Sequence, residues 1–523
     1  MIPILDSRQM RAADDAAIRG GIASLTLMEN AAAGIAAEVR RTFRDWRHAV
    51  VVCGPGNNGG DGLAAARMLS EQIGVRVFTL SDPEAYRGDP SVNVSRAREA
   101  RLPIETLARD GGLADLSRAL AETDGVIDAL FGTGLDRPLE GTAARAVRAI
   151  NESGRPVVAA DVPSGLSTDS GEIRGDAVRA SVTVAFGAPK LCHAFAPARD
   201  TCGRIVVHDI GIPAALLHPL GHTLFLATAS GVRHLLPRRS PGAHKGDFGR
   251  VAIVAGSRGK TGAAVLAARG ALRGGAGLVT VLCPASLEPV VVGALPEVMT
   301  SALPERSGAL DAAAGVELAA RLEEFDAAVV GPGLGSSPAT VAAVREAVRR
   351  ARVPLVLDAD GLNAFAGQAA LLAERTGAIV ATPHPGEAGR LLGRGAKDVQ
   401  ADRLGNSREL AHLTRSCVVL KGEASLTATP DAKVVVNSSG TPLLATAGSG
   451  DVLSGVIAAL LASGLPPPDA AAAGVWLHGA AGELLALELG DAGLLAHEVA
   501  DAIPRVRRAL QESNPGTRNT ERG

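Results

Sequence analysis

Ala49-Val50-Val51-Val52-Cys53-Gly54-Pro55-Gly56-Asn57-Asn58-Gly59-Gly60-Asp61-Gly62 carries an apolar run into a glycine-rich turn, and residues 63–69 continue with a helical pattern. Strand, loop and helix start meet there, the repeating joint of a parallel α/β sheet. Glycines let several backbone N–H groups converge, and a helix start adds a dipole that favours anions, so phosphate is the natural guest. Gly54, Gly56 and Gly59 also satisfy the G-x-G-x-x-G dinucleotide pattern, with Asp82 near the distance of a ribose-binding acid. A glycine turn without a ligand explains the same glycines. Asn57, Asn58 and Asp61 favour a ligand, because they hold more hydrogen-bonding capacity than a turn requires.

Outward from this joint the rhythm repeats. Further apolar runs lie at 75–80, 125–130, 156–160, 182–186 and 204–207, and a second series lies at 251–255, 278–282, 327–330, 354–357, 378–381 and 417–420. Each series is long enough for its own parallel sheet, so the fold class is α/β twice over. Pro213, Pro219, Pro237 and Pro241 fall between the two, where neither kind of ladder can continue. The boundary is expected near residue 225, with one domain over 1–215, a linker and entry segment over 216–240 and a second domain over 241–512. Beyond 434–436 the pattern turns helical, at 450–462 and 469–489, and the polar stretch 513–523 is expected to be a disordered tail. The two halves carry different loop motifs and show no internal repeat.

Composition bounds the function. The 523 residues include 46% hydrophobic side chains and 62 glycines, enough for large cores and many tight turns. Lys plus Arg number 53 against 55 Asp plus Glu, so no overall field would hold nucleic acid or an anionic membrane, although a local basic patch is compatible with this balance. Nine Phe, two Trp and one Tyr are too few for a base-stacking platform. The N-terminus lacks the charged-then-apolar order of a secretory signal, and no apolar stretch reads as a membrane span. Five cysteines without a CxxC suit buried thiols in a reducing cytoplasm.

Two more strand ends in the first half carry acids beside glycines: Asp128-Ala129-Leu130-Phe131-Gly132-Thr133-Gly134-Leu135, and Asp161-Val162-Pro163-Ser164-Gly165. Either aspartate alone caps a helix equally well. Ligands of open α/β sheets bind outside the carboxyl ends of the strands, where these loops would converge. The NNGGDG loop, the D-x-L-F-G-T-G segment and the D-x-P-S-G segment resemble the N-terminal, Rossmann-like three-layer domain of the bifunctional NAD(P)H-hydrate repair enzymes, from about Asp6 to Gly211. The resemblance implies an epimerase that interconverts the R and S forms of hydrated NADH or NADPH at ring carbon 6. It implies that Asn57, Asn58, Gly59, Gly60 and Asp61, with Gly132, Thr133, Gly134, Leu135, Asp136, Arg137 and Pro138, hold the substrate. Asp161 is then the acid/base, and Asn58, Asp128 and Ser164 bind a potassium ion. Lys190 reads as a solvated surface lysine in preference to a support for the anionic substrate.

In the second half Ala447-Gly448-Ser449-Gly450-Asp451 opens an apolar helix. Freed N–H groups there would stabilise a phosphoryl group in transfer while the aspartate takes the proton of an attacking hydroxyl. Plain helix capping by Ser449 or Asp451 is the alternative, and a helix start would lower the basicity of Asp451. Polar or glycine loops also close strands at 331–335, 358–363, 382–387 and 421–425; His384 by itself reads more readily as a structural histidine. His244 lies too far from metal spacing to suggest zinc. From about His244 to Arg508 the chain resembles the C-terminal, ribokinase-like domain of the same enzymes, the ADP- or ATP-dependent (S)-NAD(P)H-hydrate dehydratase. The resemblance implies Ala263, Gly333, Gly335, His384 and Asp451 at the hydrated nucleotide. It implies adenine nucleotide along Lys421, Gly422, Glu423, Ala424 and Ser425 and along Thr441, Thr446, Ala447, Gly448, Ser449 and Gly450, with magnesium on the phosphates. Ser425 and the run before Asp451 depart from the commoner threonine and glycine-glycine-threonine-glycine of the family.

Small-molecule substrates, no nucleic acid, no membrane and a homo-oligomeric family tendency follow from the resemblance. Three rivals use parts of the same pattern: a vitamin-precursor kinase with the Gly448–Asp451 device, a Rossmann dehydrogenase suggested by Gly54–Gly59, and a scaffold whose first domain only binds.

Overall fold

The computed structural model describes residues 1–135 and 137–512. Asp136 and the expected tail at 513–523 lie outside the described residues. The chain forms two compact units, Ile2–His222 and Thr223 onward.

The first unit is built on seven parallel strands: β1 (His48–Cys53), β2 (Gly74–Thr79), β3 (Ile104–Thr106), β4 (Gly125–Ala129), β5 (Val157–Ala160), β6 (Val182–Phe186) and β7 (Arg204–His208), in the order β3-β2-β1-β4-β5-β6-β7. A strand sends alternate side chains to opposite faces. Val51 and Cys53 of β1 join Ile127, Val158 and Val184 beneath helices Ser7–Arg19, Ser24–Thr42 and Asn57–Leu69. Val50 and Val52 join Val126 and Val157 beneath helices Gly112–Glu122 and Gly141–Glu152. Two apolar faces on continuous Val-rich runs require cover on both sides, which gives three layers.

The second unit orders β8 (Leu224–Leu226), β9 (Arg250–Val254), β10 (Leu278–Pro284), β11 (Met299–Leu303), β12 (Ala327–Val330), β13 (Leu355–Leu357), β14 (Ile379–Ala381), β15 (Cys417–Leu420), β16 (Leu426–Ala428) and β17 (Val434–Val436) as β8-β17-β16-β15-β14-β13-β12-β9-β10-β11. The pairings from β15 through β17 are antiparallel and the others parallel. Val251, Ile253, Val329, Val356, Val380 and Val419 pack on helices Thr261–Gly274, Ser449–Ala462, Pro467–Leu489 and Ala496–Glu512. Helices Thr261–Gly274 and Ser449–Ala462 approach so closely that a Cβ on Gly455 would lie 1.9 Å from the Ala267 carbonyl oxygen, and one on Gly270 2.3 Å from that of Val452. That contact fixes the helix bearing Asp451.

The expected linker and entry segment 216–240 carries structure of its own: β8 pairs with β17, and Ala229–Leu235 is a helix whose Val232 is fully buried in the second core. Prolines bracket this strand and helix without interrupting them. Helix Pro467–Leu489 is long and apolar enough to cross a membrane by length and composition; about 72% of its most apolar window is packed inside the unit. The sheet on one side and neighbouring helices on the other account for its apolar character all round.

Candidate active sites

At the carboxyl rim of the first sheet the helix begins at Asn57, so the whole N-N-G-G-D-G segment lies in its first turns, earlier than the expected start near residue 63. Glycine makes this possible: a Cβ on Gly59 would come within 1.8 Å of the Gly54 carbonyl oxygen, and one on Gly62 within 2.4 Å of the Ala129 Cβ. Gly132, after β4, faces Asn58, whose amide oxygen would lie 3.2 Å from a Cβ there. Asp128 is fully buried; it accepts from Ser164 N at 2.8 Å, from Ser164 Oγ at 2.7 Å and from Leu130 N at 3.2 Å. Ser164 Oγ in turn accepts from Phe131 N at 2.9 Å. Two of the three expected cation ligands are thus bonded to each other, and the third, Asn58, lies beside Gly132 in the loop that follows Asp128. Of the remaining expected substrate residues, Gly134, Arg137 and Pro138 are exposed, and Thr133 and Leu135 are half-buried.

Asp161 follows β5 with φ +62°, a left-handed conformation that costs a non-glycine residue about 1–3 kcal/mol and persists only where the surroundings enforce it. Its Oδ1 accepts from Phe186 N at 3.0 Å and from Lys190 Nζ at 2.5 Å. Lys190 is fully buried and also donates to the Phe186 carbonyl at 2.9 Å. The surface reading of Lys190 is therefore wrong, because Asp161 supplies the countercharge that lets an ammonium leave water. Two further carboxyls gather on this pair. Burial pushes Asp61 well above the usual carboxylate range, with Asp161 and then Asp14 adding repulsion. Asp14, from helix Ser7–Arg19, is pushed up to about 6 by burial, against the pull of Lys190. Asp14 carries no sequence signal of its own; only the fold brings it to Lys190. Asp128 is raised to about 6, again by burial, with the Ser164 and Leu130 hydrogen bonds working against it.

At the carboxyl rim of the second sheet Lys421, directly after β15, donates to Asp358 Oδ1 at 2.8 Å, and its Nζ lies 3.9 Å from Glu387 Oε2. Asp358 is buried after β13 and takes a second bond from Ser454 Oγ at 2.5 Å, one turn along the helix from Gly450. A Cβ on Gly450 would lie 3.3 Å from Lys421 Nζ, so the ammonium sits at the start of the helix that carries Asp451. Burial pulls the Lys421 ammonium down, but Asp358, Glu387 and Asp451 together leave it above its ordinary value.

Asp451 behaves opposite to expectation. Burial, then Asp358, push it up to about 7, against Lys421. The helix start does not win, because desolvation of a carboxylate is a larger effect than the fraction of a charge at a helix terminus.

Ala263 and Gly333 are adjacent, since a Cβ on Gly333 would meet the Ala263 Cβ at 3.0 Å. Gly335 N donates to Asp360 Oδ2 at 2.8 Å, which ties the 331–335 loop to the loop of Asp358. His384 caps helix Pro385–Leu392: its Nδ1 accepts from Gly386 N at 2.9 Å, and its own N–H donates to Glu387 at 2.8 Å. Half of its side chain is exposed beside the Glu387 that approaches Lys421. Gly422 and Ala424 both adopt positive φ, which turns the 421–425 segment tightly, and Ser425 Oγ donates back to Gly422 O. Thr441 Oγ caps the short turn Pro442–Leu444, and Thr446 O accepts from Ser449 N at 3.4 Å. Ser449 contacts His478, a buried ring held neutral because desolvation lowers it to about 4. Asp358, Asp360 and Glu387 were not singled out from the sequence, although the polar loops that hold them were. Among the described residues no three His, Cys, Asp or Glu side chains converge as a metal cage.

Both rims pair a candidate aspartate with a lysine that stands in, or close to, its own loop system. Comparison with known proteins adds two matches to family models: residues 24–192 match the YjeF-related protein N-terminus, and residues 251–505 match NAD(P)H-hydrate dehydratase. The bifunctional NAD(P)H-hydrate repair enzyme of Moorella thermoacetica is 42% identical over 94% of each chain. That of Thermofilum pendens is 41% identical over 95% of this chain and 94% of its own. The ADP/ATP-dependent NAD(P)H-hydrate dehydratase of Bacillus subtilis, crystallised with ATP and magnesium, is 32% identical, with a TM-score of 0.47, over 55% of this chain and 99% of its own.

Proposed function

This chain belongs to the family of bifunctional NAD(P)H-hydrate repair enzymes, and on that premise we propose that its first unit epimerises hydrated NADH and NADPH and its second dehydrates the S form with consumption of ADP or ATP. The observation that carries the reading is the lysine beside a candidate aspartate at each carboxyl rim, Lys190 on Asp161 and Lys421 at the helix start of Asp451.

In the first unit the substrate carbon bears a hydroxyl and a ring nitrogen. Asp61, which burial shifts toward its protonated form, donates its proton to that hydroxyl; the C6–O bond breaks as the nitrogen lone pair forms a C=N bond. Water then adds to the opposite ring face and gives its proton to a carboxylate, Asp161, whose orientation Lys190 and Phe186 N hold. Asn58, Asp128 and Ser164 would hold a potassium ion. The fit rests on oxygen donors: the Asp128 carboxylate is fully buried, Ser164 Oγ donates to it at 2.7 Å, and the Asn58 amide oxygen lies beside Gly132 in the loop that follows β4. When bound, such an ion supplies countercharge and anchors the substrate-binding loop at Gly132.

In the second unit Asp451 takes the proton of the C6 hydroxyl as its oxygen attacks the terminal phosphoryl group of the nucleotide. Hydroxide is a poor leaving group and phosphate a good one, so the ring nitrogen then expels phosphate, and the departing phosphate takes a proton from the neighbouring carbon, which restores the dihydropyridine. N–H groups of residues 448–451 and the Lys421 ammonium hold charge on the moving phosphoryl group. Magnesium, when bound, neutralises phosphate charge through one or two carboxylates and water, and the excess of Asp358, Asp360, Glu387 and Asp451 over Lys421 suits it without a dedicated cage. Five buried free cysteines support a reducing, cytoplasmic setting, and the family tendency supports a homo-oligomer.

The test is incubation of the chain with mixed R and S hydrates, potassium, magnesium and ADP or ATP. Complete return of both epimers to NAD(P)H is expected; return of only half the mixture at catalytic speed, or return without nucleotide, contradicts the proposal.

A further inference from the structure

The amino-terminal rim of the second sheet holds a feature that neither reaction uses. A cavity of about 920 Å³ is lined by Arg233, Arg238, Arg239, Arg273, Arg507 and Arg508, and among the described residues no acidic side chain lines it. Its walls come from the segment before β9, from the end of helix Thr261–Gly274 just before β10, and from helix Ala496–Glu512. The catalytic loops follow these strands, so the cavity opens at the opposite end of the sheet.

Like charges are held together here by backbone rather than by carboxylates. Arg239 Nη2 donates to Gly275 O at 2.5 Å and Arg507 Nη1 to Gly274 O at 2.5 Å, both at the negative end of the helix dipole. A Cβ on Gly275 would lie 3.1 Å from Arg239 Nη2 and 2.8 Å from Arg507 Nη1, so the two guanidinium groups flank one residue. Arg239 also stacks 3.8 Å above the Phe248 ring, which sets its plane. Burial and the charge of Arg239 hold Arg507 below its ordinary value. Helix capping accounts for one N–H of each of these two arginines and leaves the others free to donate. It does not account for Arg233 and Arg238, whose side chains have no hydrogen bond or ion pair among the described residues. Arg273 and Arg508 have outer partners, Asp501 and Glu512, that do not line the cavity.

We propose that this cavity is a second binding site for a small polyanion carrying two or more linked phosphates, distinct from the nucleotide consumed at the carboxyl rim. Several guanidinium forks on a pre-shaped wall match phosphate oxygens bidentately, and the volume suits a nucleotide-sized guest. Helix Thr261–Gly274 runs from the cavity to Lys260, Ala263 and the loop of Gly333.

The test is calorimetric titration of the full chain with inorganic tripolyphosphate and, separately, with ATP, in the wild type and in Arg238→Gln/Arg239→Gln. Tripolyphosphate should bind the wild type and bind the double variant at least about tenfold more weakly, while dehydration of the S hydrate at saturating nucleotide is retained. Arg233→Gln, at a residue without partners, should weaken binding to a smaller degree and serves if the double variant does not fold. ATP occupying two sites per chain, one lost in the double variant, places the source with nucleotides; tripolyphosphate alone occupying the arginine site places it with free polyphosphate. Equal binding of both ligands by all three proteins overturns the proposal. So does self-association that these substitutions abolish with no phosphate bound, since a second copy of the chain would then fill the cavity.

Discussion

The two carboxyl rims solve one problem in different ways. In the first unit Lys190 sits directly on Asp161 at 2.5 Å, and burial raises the neighbouring Asp61 and Asp14 above the ordinary carboxylate range. In the second unit Lys421 is bonded to Asp358, and Asp451 is the carboxyl left raised, to about 7. A lysine committed to the candidate catalytic acid fixes that acid's orientation. A lysine committed to a neighbour leaves the acid free to exchange a proton near neutral pH. Epimerisation needs a proton delivered and one removed at nearly the same place, whereas phosphoryl transfer needs one proton taken as the oxygen attacks, and the two arrangements match those needs.

The comparison is broken most severely by removing either aspartate. Asp451→Asn should lower ADP- or ATP-dependent return of the S hydrate by about a thousandfold or more, given the scale of general-base and positioning effects, with R–S interconversion unchanged when followed by chiral chromatography. Lys190→Met leaves Asp161 buried without its countercharge; loss of one partner of a buried pair costs about 3–5 kcal/mol. Calorimetry should therefore show the transition of the first unit at lower temperature, with epimerisation lost and dehydration of the S form retained in whatever chain stays folded. Lys190→Arg, which keeps the charge, should recover part of the stability but not the rate, because the planar fork cannot reproduce the contacts of the ammonium with Asp161 and Phe186 O.

A smaller effect sharpens the contrast. The acid limb of kcat/KM for S-hydrate dehydration should lie near pH 7, the range in which Asp451 loses its proton. Asp358→Asn removes a negative neighbour and releases Lys421 toward Asp451, so both changes favour the charged carboxylate and move the limb down by about one pH unit or more. The raised Asp451 also has a stability consequence of fixed sign. Its folded value exceeds the unfolded one, so its contribution is fully present at pH below about 3.8 and is lost as pH rises through about 7. The smallest effect belongs to His384: replacing it by Ala should cost about 1 kcal/mol of cap energy, and Asn should restore most of that, as thermal melts of the two variants would report.

Much of this was readable from residue pattern. Strands such as β12 and β15 announce themselves because both faces are buried and every position is apolar, and β1 and β4 because apolar residues fill all but one or two of theirs. Strands β3 and β11 were not read, since Ile104-Glu105-Thr106 and Met299–Leu303 lie at sheet edges where half-exposed polar residues leave no run to recognise. The loops with Asn58, Asp128 and Ser164 were legible because glycine and polar residues crowd strand ends. Lys190 was not, because lysine is ordinarily exposed and its partner stands 29 residues earlier, a pairing only the fold creates. The same holds for Asp14 and for Asp358. The basicity of Asp451 was misjudged for a related reason: helix position is local and visible in sequence, while burial and a neighbouring Asp358 are not.

The measurement that tests the account most directly follows both epimers and NAD(P)H together in one incubation of the Asp451→Asn chain with pure R hydrate, potassium, magnesium and ATP. The account predicts that R and S reach equilibrium at the wild-type rate with no NAD(P)H formed. NAD(P)H accumulating at wild-type speed, or R hydrate persisting at its spontaneous rate of conversion, would contradict two independent centres of this construction.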